Sequence, residues 1–317
     1  MFDARDLEFF SVVAASDSLA AAGRNLNVTA SAVSQRLKGL ERRTGVQLIE
    51  RRAGRLVLTD EGQIVATHGQ ALRAQIDSLR DVLAERRKQI VGRLRIAAPM
   101  GFGRRHISPI VASFCRTHPE VSVHLTLSDQ MAGTGEDAWD LAIHVGDLSE
   151  CAASLSARRL APNRRLLCAS SEYLTRAGKP ARVADLVEHS CIVIQENAGD
   201  GSVWSFRSAR GGRADSLRVR PRLVTNDGEI ARGWALAGLG LILRSEWHVA
   251  DDIRSGRLSR VLEEHIGPAG DIFAVLPNGP QARPARTRLF LEHLIRAMQP
   301  APWQTSAHLS HSGGAGS

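Results

Sequence analysis

The sequence predicts an α/β protein in three parts: an N-terminal winged helix-turn-helix, a long linker helix and an α/β body large enough for two lobes. Between Ser18 and Gly62, two short segments have apolar residues at helical spacing, and a basic hairpin follows them. A helical period without proline runs from Thr59 to Val91, and short apolar strands alternate with helices after Gly92. The 317 residues leave room for one or two globular units beyond the N-terminal one.

The first part is predicted to hold three short helices around a small apolar core. Ser18 and Thr29 are suited to cap the second and third helices, because their hydroxyl groups accept from the first free N–H groups of a helix. The apolar positions recur at helical spacing: Leu7, Phe9, Phe10 and Val13 in the first helix, Leu19, Ala22 and Leu26 in the second, and Val33, Leu37 and Leu40 in the third.

The other face of the third helix is polar, and a basic hairpin follows it. Ser31, Ser34, Gln35 and Lys38 are side chains of the kind that reach base edges and phosphates in a major groove. Residues 46–49 and 56–59 are predicted as two strands around a turn. We interpret this hairpin as the wing of the helix-turn-helix.

Positive charge is concentrated in this part of the chain. Residues 24–55 carry eight cations and two carboxylates, a net charge of +6, while the whole chain has a formal net charge of +8. Duplex-binding proteins gain much of their affinity by displacing condensed counterions. Charge and helix pattern together predict double-stranded DNA as the partner, although charge alone would also fit a solvated basic face on a small helical domain.

The linker helix is predicted to begin with Thr59 or Asp60 as its cap and to run to Val91. Two interleaved sets of apolar residues recur every seven positions and form an a/d seam: Val65, Leu72 and Leu79, and Ile76, Leu83 and Ile90. We expect the seam to hold a homodimer or homotetramer together. A single helix lying on its own domain is the alternative.

The body alternates predicted strands and helices. The strands are expected at 94–98, 121–127, 140–146, 165–169, 191–195, 217–224 and 240–243, with helices at 107–116 and 227–237. The segment from residue 301 to residue 317 lacks apolar periodicity and is predicted to be a disordered tail.

Composition excludes several classes of protein. We see no signal-peptide pattern and no apolar run of the roughly 18 residues that a membrane span needs, so we expect a cytoplasmic protein without a membrane partner. The four cysteines are too widely spaced for a zinc ribbon, and they are expected to be reduced thiols: Cys115, Cys151, Cys168 and Cys191. The histidines show no metal-ligand spacing, so no metal, cofactor or catalytic residue is assigned.

A set of short motifs adds a family resemblance. They are Ala32-Val33-Ser34, Leu40-Glu41, Gly45-Val46-x-Leu48, Arg51, Leu58-Thr59 and Gly62, then Phe102-Gly103-Arg104-Arg105-His106, Asp140 to Gly146 and Asn226-Asp227-Gly228. In these residues the chain resembles the LysR-type transcriptional regulators along its whole length. The later motifs are similar to a branch that includes regulators of organic-acid metabolism.

The resemblance implies a winged helix-turn-helix on DNA, a linker helix that oligomerises, and a periplasmic-binding-protein-like domain that holds a small inducer between two lobes. The implied limits are 1–60 for the DNA-binding domain, 61–91 for the linker and 92–300 for the effector domain. Lobe 1 would cover about 92–162 and 268–300, and lobe 2 about 163–267.

The resemblance also implies which residues contact DNA. Its recognition-helix positions fall on Ala30, Ser31, Ser34 and Gln35, and the wing arginines are expected on phosphates. With the flanking polar residues, the predicted DNA-binding set is Thr29, Ala30, Ser31, Ser34, Gln35, Lys38, Arg51, Arg52 and Arg55. Ala30 departs from the glutamine of many family members, so its methyl group would touch a thymine methyl instead of reading adenine.

The effector cleft follows from topology, because ligands of open α/β lobes bind beyond the carboxyl ends of the strands. The predicted effector-binding residues are Met100, Gly101, Arg104, Ser128, Gln130, Gly146, Gln195, Thr225, Asn226 and Asp227. Free N–H groups after the first strand, with Arg104, Arg105 and His106 nearby, favour an anion such as an organic carboxylate. Alternatively, Arg104 and Arg105 form a solvated or tetramer-facing pair.

Two other functions fit parts of this pattern. The first is an enzyme fused to a DNA-binding head, although the body lacks G-x-S-x-G, P-loop and G-x-G-x-x-G motifs. The second is an architectural DNA binder that needs no inducer. Substrate turnover would identify the first, and weak sequence preference without any ligand response would identify the second.

Overall fold

The computed structural model describes residues 2–52, 55–86, 90–129, 139–148, 155–195, 201–208, 215–267, 270–277 and 283–304. The chain divides into two units, residues 1–89 and residues 90–317. The first unit holds the predicted helix-turn-helix and the long helix. The second is an α/β body with two five-stranded sheets.

The N-terminal unit begins with three helices, α1 (Ala4–Ala14), α2 (Leu19–Leu26) and α3 (Ala30–Thr44). The two predicted caps are confirmed. The Ser18 hydroxyl accepts from the Ala21 N–H at 3.1 Å, and the Thr29 hydroxyl accepts from the Ala32 N–H at 3.2 Å. The predicted stripe of α3 is buried, and its members are Val33, Leu37 and Leu40.

A short antiparallel hairpin follows α3, as predicted, but its first strand lies at Ile49–Arg52 and not at 46–49, where the Leu48 N–H instead donates to the Glu41 carboxylate. Strand β1 (Ile49–Arg52) pairs with β2 (Arg55–Leu58) in a register that joins Ile49 to Leu58 and Arg52 to Arg55. The two residues between the strands lie outside the described part of the chain. Helix α4 (Asp60–Arg86) comes next, and the Thr59 hydroxyl accepts from the Gly62 N–H at 3.0 Å near its start.

The apolar seam of α4 is only partly free. The side chains of Leu79 and Leu83 are 61% and 52% exposed, as expected of an apolar surface that contacts another helix. Val65 is instead buried in the core of the N-terminal unit. The prediction for Ile90 is corrected, because Ile90 packs against the core of the body and not along the seam.

The strands of the first sheet of the body are β3 (Gly92–Ala98), β4 (Val121–Leu127), β5 (Leu141–Val145), β6 (Leu155–Ala161) and β15 (Ile272–Pro277). Their order in the sheet is β4-β3-β5-β15-β6. Between β3 and β4 the chain forms a short helix α5 (Met100–Phe102), a π-helical turn (Gly103–Ile107) and α6 (Ser108–Thr117). Helix α10 (Ala285–Ala297) follows β15 and contributes Phe290 and Leu294 to the same core.

The strands of the second sheet are β7 (Arg165–Ala169), β8 (Cys191–Ile194), β11 (Pro221–Thr225), β12 (Leu241–Ser245) and β13 (Ser259–Arg260). Their order in the sheet is β11-β8-β12-β7-β13. The helical segments are α7 (Ser171–Ala177), a 3-10 helix (Val183–Glu188), α8 (Gly228–Leu236) and α9 (Glu246–Arg254). A separate three-stranded sheet joins β9 (Val203–Ser208), β10 (Asp215–Arg218) and β14 (His265–Ile266).

The prediction of one strand over 217–224 is wrong. The structure divides this segment between β10 and β11, which belong to different sheets. Val219 between them is buried, and its N–H bonds to the carbonyl of Ser202. Pro221 has no N–H to donate to a strand partner and begins the second strand.

The predicted start of a disordered tail at residue 301 is also corrected. Ala301 and Trp303 are 3% and 4% exposed and belong to the core around the first sheet. The Trp303 carbonyl accepts from the Arg254 side chain at 2.8 Å. The described chain continues to Gln304, and the rest of the predicted tail lies outside the described residues.

Candidate DNA interface and effector cleft

The predicted DNA-binding residues of α3 share one face of the helix. Thr29, Ala30, Ser31, Gln35 and Lys38 are exposed. Ser34 lies between them and is half-buried. Residues spaced by three and four positions lie on the same side of a helix, and this side is opposite the buried stripe. The arrangement offers hydroxyl, amide and ammonium groups together on an exposed surface.

Two of the cations counted in the basic segment turn toward α1. Arg36 donates to the Arg5 carbonyl at 3.0 Å and lies over the Phe9 ring at 4.4 Å. Arg43 pairs with the buried Asp6 at 2.6 Å. The basic face is therefore smaller than the sequence count indicates.

The Asp6 carboxyl shows the electrostatic effect of that pair. Burial acts to raise the pKa of Asp6, but hydrogen bonds from the Arg43 side chain and the Asp3 N–H outweigh it. The pKa of Asp6 is consequently lowered. Asp6 stays ionised at neutral pH and fixes α3 against α1.

Backbone pairing positions the three wing arginines. Arg51 pairs with Leu56, and Arg52 pairs with Arg55 at the end of the hairpin next to the turn. Glu41 joins α3 to this hairpin, because its carboxylate accepts from the Leu48 N–H at 2.9 Å. The sequence analysis did not predict that Glu41 would hold the hairpin. The signal that could have indicated it is the position of Glu41 as an acidic residue within a basic segment.

In the body, the predicted cleft residues of the first sheet lie at the ends of its strands. The Met100 N–H after β3 donates to the Asp129 carboxylate at 2.8 Å, and the Ser128 N–H after β4 donates to the Ala98 carbonyl at 3.0 Å. These bonds bring the loops after β3 and β4 together. Gly146 after β5 bonds elsewhere, with its N–H on the Asp271 carbonyl.

The predicted residues of the second sheet also lie together. The Gln195 N–H donates to the Thr225 carbonyl at 2.9 Å, and the Thr225 hydroxyl accepts from the Asp227 N–H at 3.1 Å. Asn226 between them is exposed. Gln130, the remaining predicted cleft residue, lies outside the described residues.

Carboxylates occupy two helix N-termini at the predicted cleft: that of α5, where an anion was expected, and that of α8. Asp129 accepts from the first N–H of α5, as described above. Asp227 caps α8 by accepting from the N–H groups of Glu229 at 2.7 Å and Ile230 at 3.1 Å. An acidic effector would have to compete with these two side chains.

The loop after β3 contacts helix α9, which follows strand β12 of the second sheet. A Cβ atom on Gly101 would lie 3.3 Å from Cη2 of Trp247. Trp247 is 4% exposed, and its ring packs edge-on against Phe102 and His106, with centroids 5.2 and 5.7 Å apart. Contacts between the lobes therefore begin directly at the predicted cleft.

The three basic residues of the π-helical turn have different surroundings. Arg104 is exposed. Arg105 donates to the His248 carbonyl at 3.3 Å and pairs with the Asp251 carboxylate, so it joins the lobes. His106 packs between Trp247 and Trp303. Of these three, Arg104 has the most accessible side chain, and Arg105 is not the solvated residue considered as an alternative.

Behind the cleft, a buried carboxylate is paired with two arginines. Asp252 is fully buried, and Arg232 binds it with Nε at 2.6 Å and Nη2 at 2.8 Å. Arg257 approaches the same carboxylate at 2.6 Å. Buried charges need such partners, so this pair fixes α8 against α9.

His248 lies next to this pair and is held neutral. Burial, followed by the positive charges of Arg244 and Arg232, lowers the pKa of His248 to about 2. Its Nδ1 accepts from Nε of Arg244 at 2.8 Å, and a Glu229 carboxylate oxygen lies 2.8 Å from Nε2. The imidazole therefore acts as an acceptor that orients the Arg244 side chain.

Two of the cysteines are buried thiols. Desolvation raises the pKa of Cys168 and of Cys191 to about 12, so both stay protonated at neutral pH. Cys115 is partly buried and also free, and Cys151 lies outside the described residues. None of the helices that the structure describes combines the length and the apolar character needed to cross a membrane.

Comparison with known proteins agrees with this architecture. Residues 4–63 match the family described as bacterial regulatory helix-turn-helix protein, lysR family. Residues 87–299 match the LysR substrate binding domain. The second match alone spans more than half of the chain.

Individual relatives match along nearly the full length. The HTH-type transcriptional regulator DmlR of Escherichia coli K12 is 34% identical over 289 residues, covering 91% of this chain and 92% of DmlR. The HTH-type transcriptional activator TtdR of the same strain is 34% identical over 291 residues, with 92% of each chain covered. The full-length structure of AphB from Vibrio cholerae shares the fold with a TM-score of 0.65 and 23% identity, covering 93% of this chain and 99% of AphB. The chain belongs to the LysR family of transcriptional regulators.

Proposed function

We propose that this regulator binds double-stranded DNA in a sequence-specific way by placing α3 in the major groove. The exposed face of α3 carries the proposal. Ser31, Ser34 and Gln35 offer hydrogen-bonding groups for base edges. Thr29 and Lys38 flank them as contacts to phosphates, and the methyl group of Ala30 would meet a thymine methyl.

The wing supplies the contacts that do not depend on sequence. Arg51, Arg52 and Arg55 are proposed to lie on phosphates of the neighbouring backbone. Their position at the hairpin end supports this role, because phosphate contacts fix the register of a recognition helix. We further propose that the protein acts in the cytoplasm, the compartment in which a DNA-binding regulator of this family would meet its operator.

The regulator is further proposed to act as a homodimer or homotetramer through α4. The exposed Leu79 and Leu83 support this assembly, because they recur at the spacing of a helix-helix seam. The proposed domain limits remain 1–60, 61–91 and 92–300.

The body is proposed to bind a small organic carboxylate between its lobes. The residues that would line the site are Met100, Gly101, Arg104, Ser128, Gln130, Gly146, Gln195, Thr225, Asn226 and Asp227. Support comes from the loops after β3 and β4, which bond to each other and meet Trp247 at Gly101, and from the loops after β8 and β11, which bond to each other. Binding would change the angle between the lobes, and a coupling of about 1 to 3 kcal/mol to DNA binding is enough for a response.

A DNA-binding experiment tests the first proposal. Fluorescence anisotropy would compare the upstream region of its own gene with a scrambled duplex of equal length. Gln35→Ala should weaken binding to the specific duplex selectively, at a cost of about 1 to 3 kcal/mol. Gln75→Ala, an exposed glutamine of α4, is the matched control and should change neither affinity. Equal losses on both duplexes for Gln35→Ala would contradict base readout.

A second variant tests the wing. Arg52→Ala combined with Arg55→Ala should weaken binding to both duplexes and lower the slope of log K against log salt by about two units. An unchanged slope would remove the wing from the interface.

A further inference from the structure

Helix α9 packs on both lobes of the body, with a different side toward each. Trp247 and Ala250 are buried in the core around the first sheet. Val249 and Ile253 pack instead in a core of the second sheet, which also contains Ala231 of α8. Residues three and four positions apart share a side of a helix, so α9 has one apolar stripe for each lobe. A change in the angle between the lobes therefore has to move α9 relative to at least one of them.

The polar contact between α9 and α8 is buried. Asp252 of α9 is fully buried, and Arg232 of α8 binds its carboxylate with two nitrogen atoms, as described above. Glu229 of α8 also lies 2.8 Å from Nε2 of His248. Separating a buried ion pair is costly, because it leaves uncompensated charge in the interior. We therefore expect α8 and α9 to move together, and the cap of α8 is the predicted cleft residue Asp227.

The polar contact between α9 and the first lobe is a cluster of three charged side chains. Asp251 pairs with Arg105 of the π-helical turn and with Arg254 of its own helix. Arg105 also donates to the His248 carbonyl at 3.3 Å, and Arg254 donates to the Trp303 carbonyl at 2.8 Å. The cluster thus joins the π-helical turn, α9 and the C-terminal segment. We call Arg105, Asp251 and Arg254 the clamp.

The clamp is the more easily broken of the two polar contacts of α9. Its three side chains are between 32% and 45% exposed, so water can solvate each charge when the pairs separate. The apolar contact of Trp247 and Ala250 with the first lobe has no fixed direction, whereas hydrogen bonds between guanidinium and carboxylate groups define one geometry. A rotation of the lobes should open the clamp and leave α8 and α9 together.

We propose that the clamp sets the angle between the two lobes, with Asp251 as its positioning residue. Arg105 and Arg254 both face the Asp251 carboxylate, and without it they would be two like charges that repel each other. The carboxylate is therefore required to hold the two guanidinium groups, and with them the two lobes, in place. The consequence for DNA binding rests on the coupling between lobe angle and DNA binding proposed above.

Hydrogen–deuterium exchange of the full-length protein tests the clamp without any effector. In Asp251→Asn, the amides of residues 101–107 and 247–254 should exchange about 3- to 10-fold faster, because the contact between the lobes opens more often. Amides of β3, β4, β8 and β12 should keep their rates, since each strand lies within a single sheet. The Tm should change by less than about 3 °C, because the clamp side chains are half-exposed.

Further variants separate the charge of Asp251 from its other properties. Asp251→Glu keeps the charge, and its exchange should stay within about twofold of the unmodified protein. Arg105→Gln should loosen the same amides, and adding it to Asp251→Asn should have little further effect, because both changes remove the same pair. Glu172→Gln removes a carboxylate that pairs with Arg176 on its own helix α7, and this matched control should leave both segments unchanged.

Unchanged exchange of both segments in Asp251→Asn would overturn the proposal, as would equally fast exchange in Asp251→Glu. Faster exchange throughout the body together with a lower Tm would indicate a general loss of stability and would also overturn it.

The affinity for the upstream region of the gene tests the consequence for DNA binding. Asp251→Asn should change this affinity by about fivefold or more, while Glu172→Gln should not change it. Unchanged affinity together with faster local exchange would leave the clamp in place and contradict the proposed coupling between lobe angle and DNA binding.

Discussion

Replacing Trp303 tests whether the C-terminal segment belongs to the folded body. The indole is 4% exposed and packs near Phe102 and His106, with ring centroids 6.0 and 5.3 Å away. Truncation of a buried Trp to Ala costs about 3 to 5 kcal/mol. For a body of this size about 1 kcal/mol shifts Tm by about 2 to 4 °C, so Trp303→Ala should lower Tm by about 6 to 20 °C.

The indole N–H of Trp303 also affects the free energy change expected on substitution. Within the described residues it is buried without a hydrogen-bond partner, and such a group costs about 1 to 3 kcal/mol. Trp303→Phe removes the unpaired donor and keeps the aromatic contacts. Its effect on the free energy of unfolding should stay within about 1.5 kcal/mol of zero.

Tryptophan fluorescence is a suitable assay, because all five tryptophans of the chain lie after residue 90. Thermal unfolding of the full chain followed in this way reports on the body alone. Deletion of residues 305–317 is the control and should leave Tm unchanged. A Trp303→Ala variant with an unchanged Tm would refute the role of this segment, as would an equal loss in Trp303→Phe.

Three further predictions concern the buried side chains of His248 and Asp252 and the close contact of Gly23 with the turn between α2 and α3. His248 has a folded-state pKa of about 2 against an ordinary value of 6.5, so the unfolded chain takes up the proton first as pH falls. Between pH 6 and 4, the difference in unfolding free energy between the unmodified protein and His248→Gln should fall by about 1.4 kcal/mol per pH unit, as measured by urea unfolding. Asp252→Asn leaves two arginines without their buried carboxylate and should cost about 3 to 5 kcal/mol in the same assay. Gly23→Ala would place a Cβ atom 2.7 Å from the Val28 carbonyl oxygen and should weaken DNA binding, whereas Gly39→Ala has open space and serves as its control in the anisotropy assay.

Sequence reasoning worked best where local rules decide the structure. The caps at Ser18 and Thr29, the buried stripe of α3 and the wing hairpin each follow from a few neighbouring residues. The same is true of β4 and β7, whose bounds agree with the prediction. Apolar periodicity was sufficient for these elements.

Apolar periodicity was insufficient where the structure depends on contacts between segments that are distant in sequence. The apolar positions of β10 and β11 continue across Val219, so periodicity alone joined strands of two different sheets. Trp303 has no periodic apolar neighbours, but its ring packs near Phe102 and His106, and its backbone carbonyl accepts from the Arg254 side chain. Such packing depends on tertiary structure and leaves no local pattern.

The same distinction holds for the predicted sites: residue spacing showed some of their features, and others depend on tertiary contacts. The exposed face of α3 was visible because helical spacing separates it from the core. The use of Arg36 and Arg43 against α1 was not visible, since a charge count cannot tell an inward cation from an outward one. In the cleft, the capping roles of Asp129 and Asp227 depend on backbone directions at the strand ends, which residue spacing does not give.

The most direct test is the affinity of the purified full-length protein for the upstream region of its own gene, measured against a scrambled duplex across a salt series. Binding in the groove through α3 predicts tighter binding to the upstream region at every salt concentration, and Gln35→Ala should remove most of that difference. Equal affinity for the two duplexes, or a preference that survives Gln35→Ala unchanged, would contradict it.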